Sequence, residues 1–313
     1  MPTVVCSGET MALLTPPHNG RLRHAAHVEI RVGGAESTVA IALNRLGIAA
    51  GWASRLGRDE LGELVVSRIR AEGVDVAAVT RHGSAPTGLY LRQMVGDRMQ
   101  TYYYRRGSAA SHLDREAFDP GYLDGARFLH LTGITPALSE SCRTYVHWAV
   151  DEARRRGVAV SFDVNFRSKL WDASMARDCL DALLPDVDVL FVSDEEASAL
   201  WGRSDDGLLR SLADRGPEQI ILKRGAAGCR ARIGEQYLEQ PAFTVPVVDT
   251  TGAGDAFAAG YLAGCLWSQS PDERLRTALA MGAYGVMGRG DYEDLPDREE
   301  LEQFVAGRHD MGR

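Results

Sequence analysis

Lysine is almost missing from this 313-residue chain: of its 35 basic residues only Lys169 and Lys223 are lysines. Neither follows a glycine, which excludes a nucleotide-binding loop ending in Gly-Lys, and there is no HRD-type catalytic loop. Any nucleotide must therefore be held by another scaffold. Cysteine is scarce as well. Cys6, Cys142, Cys179, Cys229 and Cys265 are odd in number, far apart and without CxxC or Cys/His metal spacing. They read as reduced structural thiols of a cytoplasmic protein. None of the eight histidines has metal or triad spacing, and His24 and His27 are expected at the surface. No run approaches 18 consecutive apolar residues, so no membrane span is expected. The first Lys or Arg is Arg21, so no secretory leader with a basic start is expected. With 43 acidic residues against 35 basic ones, the net charge of −8 disfavours nucleic acid as a general partner.

What is present is enough apolar surface for a core, with 45% hydrophobic and 25% charged residues. Continuous apolar runs at 3–8, 49–57, 127–133, 158–165, 187–193 and 218–225 read as buried strands. Helical spacing and terminal glycines mark helices over 35–47 and 59–73, and a third is expected over 139–156. Strands without alternation, separated by helices, predict a parallel sheet covered on both faces. Segments 20–34 and 87–107 break the rhythm and read as antiparallel strands, the second turning at Gly96-Asp97. The chain is thus expected to form one domain over 1–313. A small β-sheet, inserted at about 11–34 and 86–108, is expected to project from it as a lid.

Four segments point to chemistry. In 247–267 a strand ends at Asp249, then Gly252-Ala253-Gly254 opens a helix carrying Phe257, Tyr261 and Cys265 on one face. Small residues at a helix N-terminus let backbone N–H groups approach an anion, and the helix dipole adds to the attraction. Asp255 falls in the first turn. A carboxylate beside bound phosphate is repelled unless it works there, and taking a proton from an attacking hydroxyl is such work. The competing reading is a Gly-rich turn with Asp255 favoured only by the helix dipole. The full DTTGAGDAF string outweighs it.

The Gly33-Gly34 pair before the helix at 35–47 permits close approach of a ligand to the backbone, or is simply a tight strand-to-helix turn. Asp163, Asn165 and Arg167 stand at i, i+2 and i+4 and would point the same way on an extended strand. They lie at a strand's C-terminal end, where α/β folds bind ligands. A surface loop is the alternative. In 99–111, Thr101, Tyr103 and Arg105 share one strand face, a Tyr–Arg pairing suited to a hydroxylated acid, unless the arginines are merely solvated. Among smaller pieces, Ser193-Asp194-Glu195-Glu196 suits Mg²⁺ through water or else forms a helix N-terminus. Residues 222–228 could underlie a nucleotide or form a hairpin turn.

At these residues the chain resembles a known family. DTTGAGDAFAAGYLAG and GGAESTVAIALNRLG are similar to the C- and N-terminal signatures of the PfkB (ribokinase-like) carbohydrate kinases, and the resemblance runs over essentially the whole chain. YYYRRGSAAS, FLHLTGITPAL, DVNFR, LKRGAAG and the RGD at 289–291 resemble members that phosphorylate 2-keto-3-deoxygluconate. The resemblance implies a doubly wound, Rossmann-like α/β body, a β-lid that often pairs subunits into a homodimer or higher oligomer, and ATP-dependent phosphorylation of a sugar hydroxyl. It implies Asp255 as general base and the amides of Gly252, Ala253 and Gly254 as an anion hole. Gly34, Tyr90, Tyr103, Arg105, Arg167 and Asp291 would bind the sugar acid. Asn165, Ser193, Lys223, Gly225 and Gly228, with Gly252 and Gly254, would lie along ATP. Glu196 would organise Mg²⁺ through water, and Asp249 and Thr251 match positions that hold a monovalent cation such as K⁺ in some relatives.

Two departures stand out: Thr38 and Leu279 replace an Asn that the family usually carries beside the sugar and beside the adenine respectively. The alternatives are a neutral-sugar kinase of the fructokinase or ribokinase type and a non-catalytic sugar-binding protein. Asp255 argues against the latter.

Overall fold

The computed structural model describes residues 1–96 and 98–307. Thirteen strands among them build two sheets. The larger contains β1 (Val4–Ser7), β4 (Ala50–Leu56), β5 (Val79–Arg81), β8 (Phe128–Thr132), β9 (Ala159–Asp163), β10 (Val189–Ser193), β11 (Gln219–Lys223), β12 (Cys229–Ile233) and β13 (Gln236–Gln240). Their spatial order is β13-β12-β11-β10-β9-β8-β1-β4-β5. All neighbours are parallel except the β11–β12–β13 edge, which is antiparallel.

The strands read as continuous apolar runs because both faces are covered. In β1, Val4 and Cys6 enter one core and Val5 the other, and in β10, Val189 and Phe191 part from Leu190 and Val192 in the same way. The helices Ala35–Arg45, Ala253–Leu266 and Pro271–Met287 cover the first face, and Glu140–Arg155, Ala173–Leu183 and Asp206–Ala213 the second. This is the doubly wound, mostly parallel α/β class. The chain leaves β1 towards β4 on one side and later returns to β8 on the other, which opens a crevice at the strands' C-terminal ends.

The second sheet has the order β3-β2-β6-β7, from β2 (Met11–Thr15), β3 (Glu29–Gly33), β6 (Leu89–Val95) and β7 (Arg98–Tyr104). The β6–β7 hairpin is antiparallel as expected; Asp97 of its turn lies outside the described residues. The strand expected over 20–34 is shorter. Only Glu29–Gly33 is extended in the sheet, and Leu22–His24 forms a 3₁₀ turn, because 20–28 is largely exposed and has no apolar face to pair. Likewise β9 stops at Asp163, where Asn165 takes a left-handed φ of 38°.

Candidate active site

A cavity of about 520 Å³ lies between the lid and the C-terminal ends of β9, β10 and β11. An apolar cleft of about 450 Å³ adjoins it, and the two share Lys223, Gly225, Thr250 and Gly254. The larger cavity gathers Gly34, Tyr90, Tyr103, Arg105, Arg167 and Asp291, together with Asn165, Ser193, Glu196, Thr251, Gly252 and Asp255. Gly228, Ala253 and Leu279 line the cleft instead. Two expected positions line neither. Thr38 is fully buried inside its helix, its hydroxyl without a partner among the described residues, so it does not meet a sugar from the cavity wall. Asp249 is buried and lines a separate cavity of about 160 Å³ beside Arg92.

One corner of the cavity is the start of the helix Ala253–Leu266. Gly252 precedes it with φ 76°, and a Cβ there would strike the carbonyl oxygen of Asp291. Both demands select glycine. No side chain caps this helix, and the Ala253 amide makes only a long 3.5 Å contact to the Thr250 carbonyl, so the helix start suits an anion. Asp255 stands in that first turn. Burial, and then the charge of Asp163, push its carboxyl up to about 8, while Arg167 and Lys223 pull the other way. A carboxylate of that strength takes a proton near neutral pH far better than an ordinary aspartate. Burial works against the Lys223 ammonium, but Asp163, Glu196 and Asp255 more than offset it and hold its pKa above the usual value.

The lid supplies the opposite wall. Tyr90 and Tyr103, paired in register across β6 and β7, stack with ring centroids 5.6 Å apart. Arg105 lies over the Tyr103 ring at 5.6 Å. Its Nε donates to Glu9 Oε2 at 2.7 Å and its Nη2 pairs with the same carboxylate, which leaves Nη1 without a partner among the described residues. The Arg167 guanidinium lines the cavity without a hydrogen-bond or ion-pair partner among the described residues, while its backbone carbonyl accepts from the Leu170 amide at 2.8 Å. Asp291 is buried, with Oδ1 unpartnered, and burial pushes its carboxyl up to about 7 despite Arg92. Gly33 must be glycine, because a Cβ would collide with the Tyr90 hydroxyl and stand 2.5 Å from Asp291 Oδ2.

Asn165, Asp163 and Arg167 all reach the cavity, but through the left-handed turn at Asn165 rather than along an extended strand. The acidic run after β10 is a helix N-terminus. Ser193 caps it, and Glu196 accepts from the amides of Ser193 and Phe166, both at 2.8 Å. Glu196 also lines the cavity. One oxygen-donor residue of this kind fits Mg²⁺, which takes few protein ligands and keeps its waters and the nucleotide's phosphates. Residues 225–227 form a turn into antiparallel β12, and Gly225 and Gly228 line the cleft, so the hairpin turn forms part of the cleft wall.

Two charged cavity residues, Arg92 and Glu9, escaped the sequence reading. Arg92 shares a strand face with Tyr90, so the period-two rule used for β7 finds it in β6. Glu9 just beyond β1 carries no local signal, because its partners Arg105 and Ser108 are 96 and 99 residues away.

The family model described as pfkB family carbohydrate kinase matches residues 1–298. The chain is 35% identical over 311 residues to the 2-dehydro-3-deoxygluconokinase of Bacillus subtilis (strain 168), covering 97% of this chain and 95% of the relative. It is 36% identical over 315 residues to the 2-dehydro-3-deoxygalactonokinase of Haloferax volcanii, covering 97% and 96%. The crystal structure of 2-dehydro-3-deoxygluconokinase from Thermotoga maritima superposes with a TM-score of 0.91 at 26% identity, over 98% of this chain and all of that one.

Proposed function

Because this chain belongs to the PfkB family of carbohydrate kinases, ATP-dependent phosphotransferases, we propose that its acceptor is a sugar acid, most closely 2-keto-3-deoxygluconate, phosphorylated on its terminal hydroxyl. The observation that carries the reading is that Arg167 and the remaining edge of Arg105 face the same cavity as Asp255. One end of that cavity suits a carboxylate and the other an alcohol losing its proton. Tyr90 and Tyr103 suit hydroxyl and carbonyl groups between them. Burial, and then Asp291, raise the Tyr90 phenol well above its ordinary value, so it remains a donor at neutral pH.

In this reading the Asp255 carboxylate takes the hydroxyl proton as the oxygen attacks the γ-phosphorus. The bond from that phosphorus to the bridging oxygen breaks, and ADP leaves. The amides of Gly252, Ala253 and Gly254 face the charge that develops on the transferring group. Lys223, at the shared wall of cavity and cleft, lies beside the path of the phosphoryl group, and the apolar cleft past Gly225 and Gly228 takes the adenosine. Mg²⁺ bound with the nucleotide would neutralise phosphate charge, with Glu196 holding its waters. The test is a panel of sugar acids and neutral sugars with ATP and Mg²⁺, read as ADP release. 2-Keto-3-deoxygluconate is expected to exceed fructose and ribose.

A further inference from the structure

Arg92 stands on the cavity-facing side of β6, yet its guanidinium turns to the loop before Gly252. Nη1 donates to Thr251 Oγ1 at 3.0 Å, and Nη2 lies 3.3 Å from Asp249 Oδ2. The other Asp249 oxygen accepts from the Thr251 hydroxyl at 2.7 Å and the Thr251 amide at 3.0 Å. The two charged side chains are only 9% and 7% exposed. Asp249 and Thr251 are the positions at which the resemblance implies a monovalent cation. The residues present here do not fit one. A guanidinium already holds one carboxylate oxygen, two Thr251 donors hold the other, and an added cation would stand against a fixed positive charge in a shielded place.

We propose that Arg92 is the built-in cation of this loop. It neutralises Asp249 and fixes Thr251, and through them sets the backbone of Gly252 to Gly254. Because β6 belongs to the lid, the same contact latches the lid to the loop across 159 residues of sequence. Arg92 is a positioning residue: it acts on the amides, not on the substrate. The inference rests on the anion-hole role proposed for that loop, and it implies a kinase indifferent to K⁺.

The test measures turnover at constant ionic strength while tetramethylammonium is replaced by K⁺, on whichever sugar is phosphorylated. Wild-type kcat/KM is expected to change by less than about twofold. Arg92→Met is expected to lose roughly 10- to 100-fold in kcat/KM in tetramethylammonium and to regain much of it with K⁺ or guanidinium. Arg92→Lys should keep the charge and the indifference to K⁺. A purely structural role would not give rescue by small cations. The melting temperature, read without substrate, should rise with K⁺ in Arg92→Met and stay level in the wild type. Strong activation or stabilisation of the wild type by K⁺ overturns the proposal, as does full cation-independent activity of Arg92→Met. If Arg92→Met does not fold, the wild-type titration alone decides. The melting arm needs no turnover, and Asp255→Asn reports separately on the proposed base, so failure of the reaction assignment is not confused with failure here.

Discussion

Lys223 grips both oxygens of Asp163, its Nζ lying 2.9 Å from Oδ1 and 2.7 Å from Oδ2 across the end of β10. The Asp163 side chain is 1% exposed and that of Lys223 16%, so water screens neither charge well. The pair fixes an ammonium where cavity and cleft meet. It also bears on Asp255, whose carboxyl Asp163 raises and Lys223 lowers.

Lys223→Met should therefore act twice. It strands a buried carboxylate, a change that typically costs about 3–5 kcal/mol, measurable as unfolding free energy in urea. It also removes one of the cations that restrain the Asp255 carboxyl, so the pH at which residual activity rises should move upward. Unchanged unfolding free energy would mean that Asp163 is satisfied without the lysine.

Asp255 makes a prediction whose sign depends on its raised pKa. As a base it must be deprotonated, so kcat/KM should fall as pH drops below about 8. Asp255→Asn should lower turnover by about 10²–10⁴-fold, the usual contribution of a positioned base, while ATP binding persists on backbone amides. Stability runs the other way. The folded state holds this proton more tightly than the unfolded chain does. Its contribution is therefore greatest below the ordinary value of 3.8 and is lost as pH rises through about 8. Between those limits the melting temperature of Asp255→Asn should depend less on pH than that of the wild type. Near-wild-type turnover would remove Asp255 from the base position, and parallel melting curves would remove the raised pKa.

The parts of the site that the sequence discloses are those whose chemistry is local. Gly252-Ala253-Gly254-Asp255 announces a helix start because small residues, dipole and acid fall within one turn. Thr101, Tyr103 and Arg105 share a wall because a strand has period two. What stays hidden depends on pairing distant segments. Arg105 reads as a free cation until the fold brings Glu9 beneath it, and Arg92 reads as one more lid residue until Asp249 is placed opposite. The β12–β13 edge shows in the sequence only through the hairpin-turn alternative at 222–228. Its strands, CRARI and QYLEQ, are half-exposed and charged, so they lack the apolar run that marks their parallel neighbours.

The outer face of the lid predicts an assembly. Ile30, Leu14, Leu91 and Tyr102 are register partners in one row across β3, β2, β6 and β7, on the face opposite Tyr90 and Tyr103. Ile30 is 48% and Tyr102 47% exposed, unusual for the ends of an apolar row. The lid is expected to pair with that of a second copy, so light scattering should give a dimer or higher oligomer. Ile30→Asp with Tyr102→Glu should shift it to monomer with the main sheet intact by circular dichroism. A wild-type monomer at micromolar concentration would refute the pairing.

The last prediction separates a sugar acid from a neutral sugar. A pocket for fructose or ribose has no need of two guanidinium groups, yet Arg105 and Arg167 come from different segments to one cavity. They are not equivalent. Arg105 already gives Nε and Nη2 to Glu9, so it offers the substrate one edge from a rigid mount, whereas Arg167 keeps its whole fork for a carboxylate. A charge-assisted contact of this kind contributes on the order of 1.5–3 kcal/mol. Arg167→Ala should therefore lower kcat/KM for 2-keto-3-deoxygluconate by roughly 10- to 150-fold, and Arg105→Ala should fall within the same range. Arg167→Lys should recover only part of the loss, because an ammonium cannot bind a carboxylate through two parallel donors. Glu9→Gln should mimic a weakened Arg105, since it removes the charge that mounts the guanidinium. Neither arginine variant should impair a neutral sugar as much as the acid, because the carboxylate is the group that each loses. Thr38, buried away from the cavity, should tolerate Thr38→Ser with little change in sugar preference. If the wild-type enzyme phosphorylates fructose or ribose better than the keto acid, the two guanidinium groups serve the fold or the phosphates instead, and the neutral-sugar assignment replaces this one.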